Sequence, residues 1–240
     1  QFSIVFFTMR TILFLVALVL FKQEASAQVA GKDLPFLSAY QEEIPYFQEL
    51  ISGGQYAAPS SLIKGDPYFV TRQFEAGTLR INGISYPQVP LIYDIYRDQL
   101  VTFHPIFNQK ILIKPEKIDG FEWSDGKLFR FFPGNESFLH HGNGIYQVLG
   151  QGKAIAVAKR YKTTRSLRDI SRYNAEYVEK KDYFLWKEGA FFPIKKSSQA
   201  FTALQLNAKA LKKELKSKGL QFNKAPEAFL NYLVAYTDSN

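Results

Sequence analysis

Apolar and polar residues alternate in short bursts along most of this chain, and from Pro67 onward turn chemistry interrupts them every eight to twelve residues. The stretch "TLRINGISYP" is the clearest case. Asn82-Gly83 accept the positive φ of a type I′ turn, so Ile81 is expected opposite Ile84 and Leu79 opposite Tyr86. "GFEWSDGKLFRFF" repeats the device with Asp125-Gly126, predicting Trp123 opposite Leu128, and "DYFLWKEGAFFPI" repeats it around Glu188-Gly189. Between these hairpins lie "VPLIYDIY", "LVTFHPIF", "KILIKP", "GIYQVLG" and "KAIAVAKRYK", each rich in β-branched or aromatic side chains and bounded by Pro, Gly, Asn or Asp. The fold class that follows is mainly β: an antiparallel meander of ten or eleven strands, as a sandwich, a barrel or a long curled sheet.

After Ile194 the period changes from two to between three and four. Residues 197–219 offer Ser197 or Ser198 as an N-cap, apolar Phe201, Leu204, Ala208, Leu211 and Leu215 on one face, and Gly219 as a stop. A second helix is predicted from Pro226, with Phe229, Leu230, Leu233 and Tyr236 on one side. Both are amphipathic and are expected to pack on the sheet. Lys209, Lys212, Lys213, Lys216 and Lys218 then read as the outward face of the first helix, suited to the negative end of its dipole. The segment 28–66 predicts a short helix interrupted at Pro45 and a Gly53-Gly54 turn opening the first hairpin.

The N-terminus has the pattern of an export leader. Arg10 precedes the apolar run "TILFLVALVLF", and "ASA" at 25–27 supplies small residues for cleavage after Ala27. A membrane anchor over the same residues would place Arg10 near mid-span, at a cost of roughly 2.5–3.5 kcal/mol. The leader reading predicts a periplasmic or secreted protein whose mature part, 28–240, is one β-rich domain with 197–240 as its helical C-terminal appendage and no transmembrane segment. The sequence has no cysteine, so no disulfide and no lipidated cysteine can hold it. Its 14 tyrosines and 22 phenylalanines supply bulky core groups instead.

The formal net charge is +8, and it is uneven: between Lys153 and Lys218 basic residues outnumber acidic ones almost three to one. The stretch "KRYKTTRSLRDISRY" sets Lys159, Arg160, Lys162, Arg165, Arg168 and Arg172 against Asp169 alone. Arg165, Arg168 and Arg172 follow at three and four, so a helical turn would align them as an anion-facing strip; a solvated hairpin connection is the plainer reading.

The residues "GDPYFVTRQFEAGTLRINGISYPQVPLIYD" carry a likeness. Gly65, Pro67, Tyr68 and Phe69, then Gly77, Asn82, Gly83 and Tyr86, then Val89, Pro90, Leu91, Ile92, Tyr93 and Asp94 resemble a pattern found in a group of uncharacterised exported proteins of Bacteroidota. Ile81 stands where that pattern has an aromatic residue. The resemblance extends more weakly to the C-terminal helices and implies an envelope location with no known activity.

Catalytic chemistry is sparsely provided. His104, His140 and His141 are the only histidines, and adjacent His140 and His141 would point to opposite faces of a strand; with Glu136 in a loop they could approach a metal, but no ligand spacing supports one. Ser137 and His140 lack the context that activates a serine, and Glu42-Glu43 read as surface charge. No phosphate-binding or dinucleotide motif is present, so no metal, cofactor or specific nucleic acid is predicted. The expectation is an exported, non-enzymatic binding or envelope-accessory protein contacting an anionic envelope component or another envelope protein. The alternative is a periplasmic hydrolase with its site near His104 or the 135–144 loop. In "PLIYDIYRDQLVTF", Arg97, Asp98 and Gln99 read as a turn, whereas Asp94 lies in a strand and needs a hydrogen bond, an ion pair or a ligand cavity, the structural role being favoured.

Overall fold

A computed structural model describes residues 48–104, 107–168 and 172–239. The expected leader and residues 28–47 lie outside them. Eleven strands follow in chain order: β1 (Ile63–Lys64), β2 (Glu75–Ile81), β3 (Ile84–Asp94), β4 (Gln99–His104), β5 (Gln109–Leu112), β6 (Ile118–Trp123), β7 (Leu128–Phe131), β8 (Ile145–Gln151), β9 (Ile155–Ser166), β10 (Ala175–Lys187) and β11 (Ala190–Ile194). Three helices close the chain: α1 (Ser197–Ala203), α2 (Ala208–Ser217) and α3 (Pro226–Ser239).

The strands form one sheet in the order β1-β10-β9-β8-β7-β6-β2-β3-β4-β5, with β11 also on β10. The sheet is not closed into a barrel. All its pairings are antiparallel except β1 with β10. The 13-residue β10 pairs with β9 along one side, and its other side takes β1 at 175–176 and β11 at 183–187.

The hairpin signals set much of this register. Ile81 faces Ile84 and Leu79 faces Tyr86 across Asn82 and Gly83, which have φ of 50° and 79°. Lys187 faces Ala190 across Glu188 and Gly189, at 52° and 79°. At Asp125-Gly126 the expected Trp123–Leu128 pair is not formed: Leu128 faces Glu122 instead. Trp123 N–H bonds Lys127 O at 3.2 Å and Gly126 N–H bonds Trp123 O at 2.9 Å, so the loop has three residues with Gly126 left-handed, and the extra residue shifts the register by one. Gly53 and Gly54 open no hairpin. Residues 54–56 instead pair with the outer edge of β5, through Tyr56 N to Lys110 O and Leu112 N to Gly54 O, and this covers an otherwise exposed sheet edge.

Alternation along the strands builds separate apolar clusters. Leu79, Leu91, Tyr93, Ile95, Phe121 and Phe129 share one, where the Phe121 and Phe129 rings stack 5.0 Å apart. Ile92, on the opposite face of β3, packs with Tyr56, Tyr68 and Val101. A further cluster joins the helices to the sheet through Ala156, Leu185 and Ile194 against Phe201, Leu211, Leu215, Phe229 and Leu233.

The single helix expected over 197–219 is two. Gln205 takes φ of 56°, and the Asn207 side chain accepts Lys209 N at 3.0 Å as the N-cap of α2, so the chain turns where the apolar spacing alone would have continued. α3 starts at Pro226 and buries Leu230, Leu233 and Val234 completely. It lies close on β8, where a Cβ on Gly150 would meet Asn231 Oδ1 at 2.5 Å. Among the described residues no helix is long and apolar enough to cross a membrane.

Candidate functional site

The turn after β3 organises the buried polar chemistry. Asp94, fully buried at the end of β3, accepts the Tyr56 hydroxyl at 2.6 Å and the backbone N–H groups of Tyr96 and Arg97 at 3.0 and 2.9 Å. The Arg97 guanidinium lies 3.9 Å from its carboxylate, lies over the Tyr56 ring and donates to Ala57 O at 2.7 Å. Burial pushes the Asp94 carboxyl above the usual carboxylate range, with the Tyr56 hydrogen bond and the Arg97 contacts pulling it back. Asp94, through Tyr56, and Arg97, through Ala57 O, together clamp residues 56–57 to the sheet.

Asp98, which the sequence presents as an ordinary turn residue, is the centre of a second network. Its carboxylate accepts the Tyr93 hydroxyl, Asn143 N–H and, at 2.8 Å, the ammonium of Lys159, while its backbone O accepts from Asn143 Nδ2 at 2.6 Å. Lys159 is 1% exposed, also donates to Ile145 O at 2.9 Å, and lies over the Tyr146 ring. Burial holds its ammonium below the usual lysine range against the opposing pull of Asp98. The Tyr146 hydroxyl in turn accepts from Asn135 Nδ2 and is 2.8 Å from His141 Nδ1. The loop between β7 and β8 is thereby fastened to β9 and to the β3–β4 turn.

The expected basic strip therefore has a different form. Lys159, Arg160, Lys162 and Arg165 lie on strand β9, so helical spacing does not apply to them. Arg160 is buried against Gln147 and pairs with Glu227 of α3 at 2.9 Å. Lys162 donates to Tyr68 O at 2.6 Å and pairs with Asp66 at 3.3 Å, and Arg165 pairs with Glu176. Arg168 and Arg172 are exposed on either side of residues 169–171, which lie outside the described set. Strand alternation sends Lys159 and Tyr161 to one face and Arg160 and Lys162 to the other, so the six cations share no common face.

The histidines adjoin aromatic side chains. His140 stacks on Tyr161 at 4.0 Å, His141 meets the Tyr146 hydroxyl, and the His104 ring lies 4.6 Å from that of Phe107. The 135–144 loop thus brings its two imidazoles to phenol side chains, where the hydrolase alternative expects a serine or a carboxylate within hydrogen-bond reach.

Two larger grooves lie elsewhere. One, of about 600 Å³, crosses the outer face of β2, β6 and β7, where Arg80 and Arg130 alternate with Asp119 and Glu122, so its charges offset. The other, of about 540 Å³, lies in the helical layer. Its floor is Phe201, Leu215, Leu220, Phe222 and Phe229, and Lys195, Lys196, Lys212 and Lys216 line it with no Asp or Glu among the described residues around it. Lys212 and Lys216 are one helical turn apart on α2. The Gln199 side chain accepts Lys195 N at 2.7 Å and Lys196 N at 3.1 Å, which fixes the backbone that carries the other pair. The nearby Lys218, by contrast, is occupied by Glu214 at 3.2 Å and the Tyr232 ring. The sequence supplied the lysines and the apolar stripe, but the groove depends on the break between α1 and α2, which the periodicity conceals.

Comparison with known family models, curated proteins and solved structures finds no match for this chain.

Proposed function

We propose that this chain is an exported, non-enzymatic binding protein that engages an anionic partner through its helical layer. The observation that carries this reading is the set of four lysines, Lys195, Lys196, Lys212 and Lys216, gathered around one groove without an acidic residue among its lining. Like charges held together raise the local potential and attract an anion, and an apolar floor beneath them lowers the local dielectric and strengthens that attraction. The cations of β9 are poorer candidates, since Lys159, Arg160, Lys162 and Arg165 each already face a carboxylate. The export pattern around Arg10 and Ala27 supports an envelope setting, where anionic lipids and acidic glycans are abundant.

The test is retention on a sulfated polysaccharide resin at low and high salt. The protein is expected to be retained at low salt and released as screening increases. Charge reversal of Lys195, Lys196, Lys212 and Lys216 together should abolish retention, while reversal of Lys209, Lys213 and Lys224 should weaken it only in proportion to net charge. Equal loss in both variants, or loss only on reversal of Arg165, Arg168 and Arg172, would remove the helical layer as the site.

A further inference from the structure

We infer that the helical groove takes a single-chain anionic amphiphile, a long-chain alkyl carboxylate, with the chain along Phe201, Leu215, Leu220, Phe222 and Phe229 and the carboxylate held by the lysines. This inference rests on the anionic-partner reading above and adds the chemistry of the ligand's other half.

The groove has two chemically distinct parts. Its floor consists of apolar side chains of the helix–sheet cluster, with Phe201, Leu215 and Phe229 buried and Leu220 and Phe222 half-buried in the segment that joins α2 to α3. The rings are held in place from behind: Phe229 lies edge-on to Phe201 at 5.9 Å and to Phe222 at 5.7 Å, and Phe222 meets Tyr183 of β10 at 6.0 Å. The walls therefore come from packed elements, as a preformed site requires. The lysines approach from two directions, Lys195 and Lys196 from the end of β11 and Lys212 and Lys216 from α2.

Each part restricts the ligand. A polyanion such as a glycan would satisfy the lysines but make no use of the apolar surface that Leu220 and Phe222 still expose. A neutral apolar molecule would cover the floor and leave four like charges uncompensated. A bilayer surface is met by an exposed apolar face that enters the headgroup region, whereas here Phe201, Leu215 and Phe229 are buried and Leu220 and Phe222 half-buried. At about 540 Å³ the groove lies in the ordinary range for small-ligand sites. A long alkyl chain with one anionic end fits both halves.

The experiment is calorimetric titration of the intact protein with octanoate, dodecanoate and dodecanol below their aggregation concentrations. Because each buried methylene contributes about three- to fourfold in affinity, dodecanoate should bind roughly a hundredfold more tightly than octanoate. Dodecanol should bind more weakly than dodecanoate, and Lys195→Glu, Lys196→Glu, Lys212→Glu and Lys216→Glu combined should remove that preference; all four substitutions lie on the protein surface. Equal affinity for octanoate and dodecanoate would overturn the inference while leaving the anionic-partner reading intact. Equal affinity for dodecanol and dodecanoate would overturn it by removing the role of the lysines. Absence of dodecanoate binding together with retention on the sulfated resin overturns the acyl-chain inference alone, and absence of both overturns the two together.

Discussion

The Lys159 ammonium lies 2.8 Å from an Asp98 carboxylate oxygen although 61 residues separate them in the chain. The pair is sealed among Tyr93, Tyr146 and Asn143, and it joins the β3–β4 turn to the middle of β9. Breaking one side of such a buried pair leaves an uncompensated charge. Asp98→Asn keeps a residue that tolerates the observed φ of 57°. It is expected to cost about 3–5 kcal/mol, while Asp98→Asn combined with Lys159→Met should recover most of that loss. Urea-unfolding midpoints of the two variants measure it; equal destabilisation of the single and double variants would contradict the ion-pair account.

Tyr56 and Asp94 form a pH-dependent clamp. The Asp94 carboxyl is raised by burial, so between its ordinary value and the raised one the folded state binds more protons than the unfolded state, and this group's contribution falls as pH rises through that window. Tyr56→Phe removes the hydroxyl donor that the ionised carboxylate uses. A loss of about 1–3 kcal/mol is expected at neutral pH, and a smaller one at about pH 4, where protonation of Asp94 has begun. Unfolding titrations of the variant at the two pH values decide it, and a loss independent of pH would speak against the clamp.

His141 should give the opposite slope. Burial, followed by the charge of Lys159, holds its imidazole below 6.5, so the unfolded chain binds the extra proton first. Stability contributed by neutral His141 is present above about pH 6.5 and is lost as pH falls toward the folded value. His141→Gln is expected to flatten the stability curve across that window, with an imidazole titration by NMR giving the depressed value directly. An unchanged slope would show that another group titrates there.

Gly150 sets the distance between α3 and β8. A Cβ there would lie 2.5 Å from Asn231 Oδ1 and 3.0 Å from Asn231 Cα, and the latter is backbone that cannot rotate away. Gly150→Ala is expected to destabilise by about 1–3 kcal/mol through overpacking. Thermal unfolding compared with Gly83→Ala, whose Cβ meets nothing within 4 Å but whose φ is 79°, separates crowding from backbone strain. Asn231→Ala should partly rescue Gly150→Ala by removing the amide and leave Gly83→Ala unchanged.

What the sequence made legible was local. Asn82-Gly83 and Glu188-Gly189 announce their turns because positive φ is a property of those residues, and Pro226 announces a helix start for a similar reason. Asp125-Gly126 carries the same signal but belongs to a three-residue loop, and the difference lies in one backbone hydrogen bond rather than in residue type. Asn207 reads as a polar residue inside a helix and acts as a cap between two, because its neighbour Gln205 takes a left-handed conformation that its type does not favour. Asp94 stood out because its strand surroundings are apolar. Asp98 and Lys159 did not, since a turn aspartate and a basic-segment lysine have ordinary local contexts and only the curl of the sheet brings them together. The groove was hidden for the same reason: its lysines lie on α2 and in the β11–α1 link, and its floor comes from all three helices and the α2–α3 link.

The most direct test of the central claim, that the helical layer rather than β9 is the binding surface, is a backbone NMR titration of the labelled protein with dodecanoate. The predicted result is saturable perturbation confined to residues 195–229, strongest at Phe201, Leu215 and Phe222, with Lys195, Lys196, Lys212 and Lys216 shifting in parallel. Perturbation centred on Arg165, Arg168 and Arg172, or spread evenly over the basic surface without saturation, would contradict it.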